Sequence, residues 1–375
     1  ARSYEDMLAE IDSLLAEGES WQREYLLVWK DDLLRVAAAA KELAGELHRH
    51  IARIEALVKD TDFSALYNSR RDLFSIGYSV DEEKLIESNY DLLASEARLT
   101  SYLAIVQRQV PAKHWHKQGR ALVRVEGTRA LVSWSGTMFE YLMPLLLMKN
   151  YTNTLLAETV ESVISAQRSY AKKRNVPWGV SESAYYAFDY RLNYQYRAFG
   201  IPDLGLKRGL ADDMVVSPYS TLLALPFAPK AAIENIRQLL AEGMGGKYGL
   251  FEAVDYTPER VPAKKNKAVV QSYFAHHQGM SLISLANYLN DFAMVRRFHN
   301  DPRVRAGELM LQETPSLQPV LSKQIREPLL QLPDRAEEEM EVVRSFGPPE
   351  GMPPNCHLLS NGRYTVLLTD SGSGY

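Results

Sequence analysis

Cysteine is almost missing from this sequence. Cys356 is the only one among 375 residues, which excludes an internal disulfide framework and leans toward a cytosolic compartment. Net charge is equally scarce: 43 Lys and Arg stand against 47 Asp and Glu, a formal charge of -4. No strongly basic surface advertises a nucleic acid or an anionic membrane, and short clusters such as "KKR" (172–174) and "KK" (264–265) read as solvated surface. Long apolar runs are lacking too. "MPLLLM" (143–148) falls far short of the about 20 residues a membrane span needs. The opening "ARSYEDMLAE" has no basic stretch followed by an apolar one, so no secretion signal is expected. Phosphate loops of the type GxxxxGK(S/T), a GxGxxG behind a strand and the GxSxG nucleophile elbow are all absent. "HWH" (114–116) has no Cys or acidic partner at ligand spacing, and the adjacent His276 and His277 point in different directions. No metal and no cofactor are expected.

Helical periodicity, by contrast, is plentiful. With 46% hydrophobic and 24% charged residues the chain has the balance of a soluble globular protein able to bury a sizeable core. "YEDMLAEIDSLLAEG" (4–18) carries apolar residues at helical spacing and stops at a glycine. Residues 21–60 predict one or two long helices, and further helices are expected over 83–108, 137–150, 152–173, 229–243, 271–299 and 302–313. Strand signals are few: "ALVRVEGTRALVSW" (121–134) predicts one hairpin turning at Glu126-Gly127. Between 174 and 270, long loops rich in Tyr, Gly, Pro and Asp alternate with short helices, and such loops in a compact domain usually carry function. Beyond 326 the sequence turns proline- and charge-rich, then "CHLLSNGRYTVLLTDSGSGY" predicts a hairpin with Asn361-Gly362 at its turn. The expected division is an N-terminal helical segment (1–58), a helical domain (59–325), a linker (326–355) and the first edge of a β-rich module (356–375). The abrupt ending reads as a cut through something longer.

Three segments set carboxylates among aromatics and glycines. "WSGTMFEYLMP" holds Glu140 beside Trp134, "WGVSESAYY" holds Glu182 beside Trp178 and Tyr185, and "YGLFEAVDYTPER" holds Glu252 and Asp255 beside Tyr248. Sugar rings present C–H faces that stack on aromatic rings, while their hydroxyls seek carboxylates and amides. Cleaving a glycosidic bond needs two carboxyl groups, one protonated and one charged, and aromatic burial raises one of them into the acid role. Structural alternatives stand beside this reading. Glu140 fits a salt bridge, and Glu182, following Ser181, fits a helix N-terminus. Glu252 and Asp255 lie one helical turn apart, so both would face one cleft. In "YFAHHQGMSLISLANYL", His277 or Gln278 suits a hydrogen bond to a sugar hydroxyl, and "SRRD" (69–72), among aromatics, suits the wall of a pocket.

Together, "DFSALYNSRRDLFSIGYSV", "NYDLLASEARLTSYLAI", "WSGTMFEYLMP", "VPWGVSESAYY", "YGLFEAVDYTPER" and "AHHQGMSLISLAN" resemble the middle, glucoamylase-like region of bacterial cyclic β-1,2-glucan synthases. The resemblance runs in order from about residue 60 to about residue 300. It implies an all-α fold, an (α/α)6 toroid with a short β-hairpin, flanked by N-terminal helices and the start of a phosphorylase-like β module. It also implies an activity, the closing of linear β-1,2-glucan into rings by retaining transglycosylation. An endo-β-1,2-glucanase-like hydrolase and a non-catalytic carbohydrate-binding module are the alternatives.

By the same resemblance Glu182 and Glu252 are the expected catalytic pair, with Glu140 able to replace either. Asp91, Glu96, Trp134, Trp178, Tyr185, Asp189, Tyr194, Tyr248, Asp255, His276, His277 and Gln278 are the expected glucose-binding residues. The implied partners are the β-1,2-glucan substrate and the glycosyltransferase and phosphorylase-like modules of one parent chain. Nucleic acid and direct membrane insertion are not expected. The parent would be anchored in the bacterial inner membrane, with this soluble region on the cytoplasmic face.

Overall fold

A computed structural model describes residues 3–315, 321–322, 356–360, 364–369 and 374. The expected linker over 326–355 and the Asn361-Gly362 turn lie outside the described residues. The chain divides into two compact units, 1–67 and 68–375.

The first unit is a helical hairpin. Helix α1 (Tyr4–Glu17) starts at Ser3, whose hydroxyl accepts from the Asp6 N–H while the Asp6 carboxylate accepts from the Ser3 N–H. Helix α2 (Ser20–Asp60) runs unbroken through Gly45, a single helix where one or two were expected. Neither helix has a buried residue, and Trp21, Tyr25 and Trp29 line one exposed face at four-residue spacing.

The second unit holds the core. Helix α3 (Arg98–Val106) is followed by the hairpin β1 (Leu122–Val125) and β2 (Thr128–Leu131). These strands pair in antiparallel register around Glu126-Gly127, with φ of +47° and +77°, the turn that the sequence predicts. Helices α4 (Met138–Leu142) and α5 (Leu155–Lys172) come next. Helix α5 is capped by the Thr154 hydroxyl and buries Leu156, Val160, Val163, Gln167 and Tyr170, a helical stripe facing the core. The last helices are α6 (Pro218–Leu223), α7 (Pro229–Ala241), α8 (Ala275–Leu289), α9 (Ala293–Phe298) and α10 (Pro302–Ala306).

Two expectations about helices need correction. Residues 83–97 are not helical, because their backbone groups bond elsewhere: Tyr90 N–H to the Phe74 carbonyl and Leu93 N–H to the Gly119 carbonyl. The run over 271–299 breaks between α8 and α9, where Asp291 and Phe292 adopt left-handed φ of +50° and +55°.

Strands also occur where loops were expected. β3 (Ser183–Phe188) and β4 (Tyr194–Arg197) form a hairpin with a bulge that leaves Tyr186 and Ala187 outside the pairing. β5 (Val215–Val216), β6 (Ala253–Asp255) and β7 (Ala268–Val270) make a three-stranded antiparallel sheet in the order β7-β6-β5. Toward the C-terminus β8 (Cys356–Ser360) pairs with β9 (Thr365–Thr369), the expected hairpin strands.

Loop 133–136 is held by backbone against 201–207. Ser133 N–H donates to the Leu204 carbonyl, Leu206 N–H to the Ser133 carbonyl and Ile201 N–H to the Gly136 carbonyl. The approach is so close that a Cβ at Gly200 would sit 1.7 Å from the Ser135 carbonyl oxygen. Backbone cannot yield as a side chain does. Gly200→Ala is therefore expected to destabilise the second unit by about 3 kcal/mol or more. Thermal unfolding of the variant checks this, and an unchanged midpoint would contradict the close approach.

Candidate active site

The segment 178–182 is placed by amide side chains from two helices. Gln167 on α5 donates to the Val180 carbonyl and accepts from the Val180 N–H, as a neighbouring strand would. Asn235 on α7 does the same for Trp178. Gly179, at φ +123°, brings the chain within 2.6 Å of the Ser220 hydroxyl at its would-be Cβ, a spacing only glycine permits. Either side of Glu182, the Tyr219 hydroxyl donates to its carbonyl and accepts from Ser181, whose own oxygen takes the Phe139 N–H. The backbone that carries Glu182 is thus fixed on every side before its carboxylate is considered.

That carboxylate is half-buried. Its Oε1 accepts a 2.9 Å hydrogen bond from the Tyr196 hydroxyl on β4. The same hydroxyl lies 3.4 Å from His277 Nε2 on α8. His277 Nδ1 in turn sits 2.8 Å from Glu252 Oε1, which also accepts the Ala184 N–H of β3 at 3.3 Å. Four side chains therefore form one line: Glu182, Tyr196, His277, Glu252. His277 stacks on Tyr219, ring centroids 3.8 Å apart, and Phe274 and Tyr196 stack beside it.

Two further acids, Glu96 and Glu140, lie within electrostatic reach of one another. Arg98 is buried and donates to the carbonyls of Ser95, Glu140 and Tyr141, tying the segment that bears Glu96 to the start of α4. Glu140 is the third residue of α4 and forms a capping box with Thr137. It also accepts from Ser133 Oγ and the Ser135 N–H. Glu96 is half-buried, and its charge acts on Glu140, Glu182 and Tyr90 alike.

With this geometry in view, the chain can be compared with known proteins. The family model "Glycoamylase: Putative glucoamylase" matches residues 89–302, more than half of the sequence. The chain belongs to the Glycoamylase family. Over 315 residues, 84% of its length, it is 45% identical to the cyclic beta-(1,2)-glucan synthase NdvB of Rhizobium meliloti (strain 1021), and it spans 11% of that protein. The endo-beta-1,2-glucanase of Chitinophaga pinensis, solved with sophorotriose and glucose, aligns with a TM-score of 0.54 at 19% identity, covering 70% of this chain and 64% of that one. The beta-1,2-glucanase of Parabacteroides distasonis aligns with a TM-score of 0.53 at 17% identity, covering 69% and 40%. These likenesses show the fold, the mostly helical glucoamylase-like class with small hairpins that the sequence predicts. Among the described residues the helices do not close a complete ring, a correction to the expected toroid.

Within this Glycoamylase-family unit the expected site residues have distinct fates. Glu96, Glu140, Glu182, Glu252 and His277 come together as described. Asp91 accepts the indole N–H of Trp134 at 2.8 Å, leaving the Trp134 ring 47% exposed. His276 is exposed and meets Phe139 edge to face, while Gln278 donates to the Leu250 carbonyl. Tyr248 is 70% exposed.

Others are occupied by the fold. Trp178 is buried in the core. Asp189 accepts the N–H groups of Arg191 and Asn193 and so builds the tip of the β3–β4 hairpin. Tyr194 packs on Phe188, and Tyr185 lies edge-on to Phe199 beneath Arg260. Asp255 is fully buried in an ion pair with Arg260 and accepts the Tyr186 N–H. The expected helical turn between Glu252 and Asp255 is absent. Both carboxylates nonetheless reach the same edge of β3, through extended backbone.

His114 is buried with its ring nitrogens against the Asp72 carbonyl and Ser101 Oγ, a structural arrangement. No group of three or more His, Cys, Asp or Glu is placed to hold a metal among the described residues. Tyr196 and Tyr219 escaped the sequence reading. Their signal was alternation in "YQYR" and a tyrosine one residue inside the Pro218 helix start, both weak beside so many other tyrosines.

Burial dominates the electrostatics. It raises Glu182 above the usual carboxylate range; the Tyr196 hydrogen bond opposes this and the Glu96 charge adds to it. Burial likewise pushes Glu140 up from 4.5 to about 7, against its hydrogen bonds from Thr137, Ser135 and Ser133. Between pH 4.5 and about 7 the folded protein then holds a proton at Glu140 that the unfolded chain has released. The contribution of this group is full below pH 4.5 and is lost as pH rises through about 7. Urea unfolding at pH 5 and pH 8 is expected to show the difference in stability shrinking by roughly 2 kcal/mol in Glu140→Gln. Equal slopes in both proteins would refute the assignment.

Proposed function

We propose that this region cleaves and rejoins β-1,2-glucan, closing linear chains into rings with retention of configuration. The observation that carries the reading is that two half-buried carboxyls, Glu96 and Glu182, lie near enough for the charge of one to act on the other, in a chain 45% identical over 84% of its length to part of a cyclic β-1,2-glucan synthase. Glycosidic chemistry with retention needs two carboxyl groups reaching the substrate, one forming an ester with the sugar while the other protonates the departing oxygen. Glu182 and Glu96 suit these tasks because both remain partly open. Glu252 is 2% exposed and Glu140 8%, so in this reading they support the pair from behind.

The steps balance simply. One carboxylate attacks the anomeric carbon while the other carboxyl gives its proton to the leaving hydroxyl. The 2-hydroxyl at the far end of the same chain then attacks the ester, returning its proton to that second group. The bond formed resembles the bond broken, so water is the competitor, and holding the acceptor at high effective concentration decides the outcome. The exposed ring of Trp134, fixed by Asp91, suits the grip on glucose. In a longer parent, a transferase module would supply the linear glucan and residues 356–375 would open a phosphorylase-like module. Residues 59–325 would form the cyclising domain. No helix among the described residues is long and apolar enough to cross a membrane, so anchoring is assigned to other parts of that parent.

Incubation with linear β-1,2-glucan and mass spectrometry of the products tests the reading. Rings lack one water relative to linear chains of equal length and are the expected product. Shorter linear chains alone would make the protein a hydrolase, and unchanged substrate a binding module. Glu182→Gln and Glu96→Gln are each expected to lower turnover by about a thousandfold while leaving the thermal midpoint close to that of the unaltered protein. Full activity in either variant would remove that residue from the pair.

A further inference from the structure

The line from Glu182 to Glu252 has a proton count that allows two arrangements. Glu252 Oε1 accepts the Ala184 N–H and lies 2.8 Å from His277 Nδ1; with Glu252 as the carboxylate, the hydrogen between them is on Nδ1. The Tyr196 hydroxyl has a single hydrogen and two neighbours, Glu182 Oε1 at 2.9 Å and His277 Nε2 at 3.4 Å. In one arrangement, the hydroxyl donates to an ionised Glu182 and Nε2 carries its own hydrogen, so that His277 is an imidazolium. In the other, the hydroxyl donates to Nε2, His277 is neutral and Glu182 holds the proton. The two arrangements contain the same number of protons. They differ by one concerted shift, in which Nε2–H passes to the tyrosine oxygen as the tyrosine hydrogen passes to Glu182, or the reverse.

We propose that His277, backed by Glu252, takes up the proton of Glu182 through the Tyr196 hydroxyl and returns it. This rests on the reading of Glu182 as a group that works on the substrate. Glu252 is the fixed counter-charge: its carboxylate is buried, its Oε2 has no hydrogen-bond partner, and an imidazolium on Oε1 offsets the cost of keeping it ionised. The other groups facing the line are few. Tyr219 stacks on His277, and burial holds its hydroxyl, like that of Tyr196, far above the range in which it would ionise. His276 lies beside His277, and Glu96 is a further charge that acts on Glu182. Burial and Glu96 press Glu182 toward its protonated form. The relay lets it ionise without releasing a proton to solvent. His277, Tyr196 and Glu252 are positioning residues in this scheme.

Two measurements separate the relay from the reading beneath it. In the first, the imidazole nitrogens of His277 are followed by 15N NMR from pH 5 to pH 8, with no substrate. The expected result is that the 15N shifts of the ring in the unaltered protein differ from those in Tyr196→Phe and in Glu182→Gln. Identical ring shifts in all three proteins across that range overturn the relay. In the second, the acid limb of kcat/KM for linear β-1,2-glucan is expected to move up by about one pH unit in Glu252→Gln and His277→Gln, though neither change touches Glu182. Reduced activity with an unmoved limb would mark a merely structural role and also overturn the relay. Tyr196→Phe keeps the ring that stacks on Phe274, and its far-ultraviolet spectrum and thermal midpoint report whether the fold survives. Absence of any glucan turnover in the unaltered protein would instead remove the reading of Glu182, and the 15N result would still decide the relay.

Discussion

The carboxylate of Glu252 is the interaction on which the second unit's working end depends. It accepts from the Ala184 N–H of β3 and from His277 of α8, and its backbone runs directly into β6. Its carbonyl takes the Ser217 hydroxyl just before α6. One buried side chain and its own peptide thus join a hairpin, a sheet and two helices. Three residues on, Asp255 repeats the device with the Tyr186 N–H and hands the remaining charge to Arg260, which also binds Asp213. The edge of β3 that would otherwise seek a strand is satisfied by acids. Such an arrangement tolerates little rearrangement, because breaking one contact leaves a buried charge uncompensated.

Around this joint the four acids sort by surroundings rather than by chemistry. Glu140 is wrapped by hydroxyls and N–H groups at a helix start, Glu252 by an imidazole and a strand edge. Glu96 and Glu182 keep part of their surface open. Identical carboxyl groups are in this way given unlike surroundings within one Glycoamylase-family unit.

Much of this was legible in the residues. Helices with a clean apolar stripe, such as α5, and the Glu126-Gly127 hairpin follow from local rules that need no distant partner. The hairpin at 183–197 was not legible, because its alternation is blurred by the bulge at Tyr186 and Ala187 and by aromatics on both faces. The stretch 83–97 looked helical by spacing, yet its backbone bonds to residues 74 and 119, which no local window contains. For the site, the segments bearing Glu140, Glu182, Glu252 and His277 stood out for their mixture of acids and rings. What could not be read was depth. Whether Trp178 or Asp255 faces a sugar or the core is decided by Asn235 and Arg260, residues far from them or unremarked beside them.

The bulge in β3 has a consequence for the site. Tyr196 meets Glu182 only because Ala184 pairs with Tyr196 while two residues are looped out farther along the strand. The length of the tract between Ser183 and Tyr194 therefore bears on whether the hydroxyl reaches Glu182, while leaving every acid unchanged. A carboxylate's neighbour across a hairpin is set by spacing as much as by residue type.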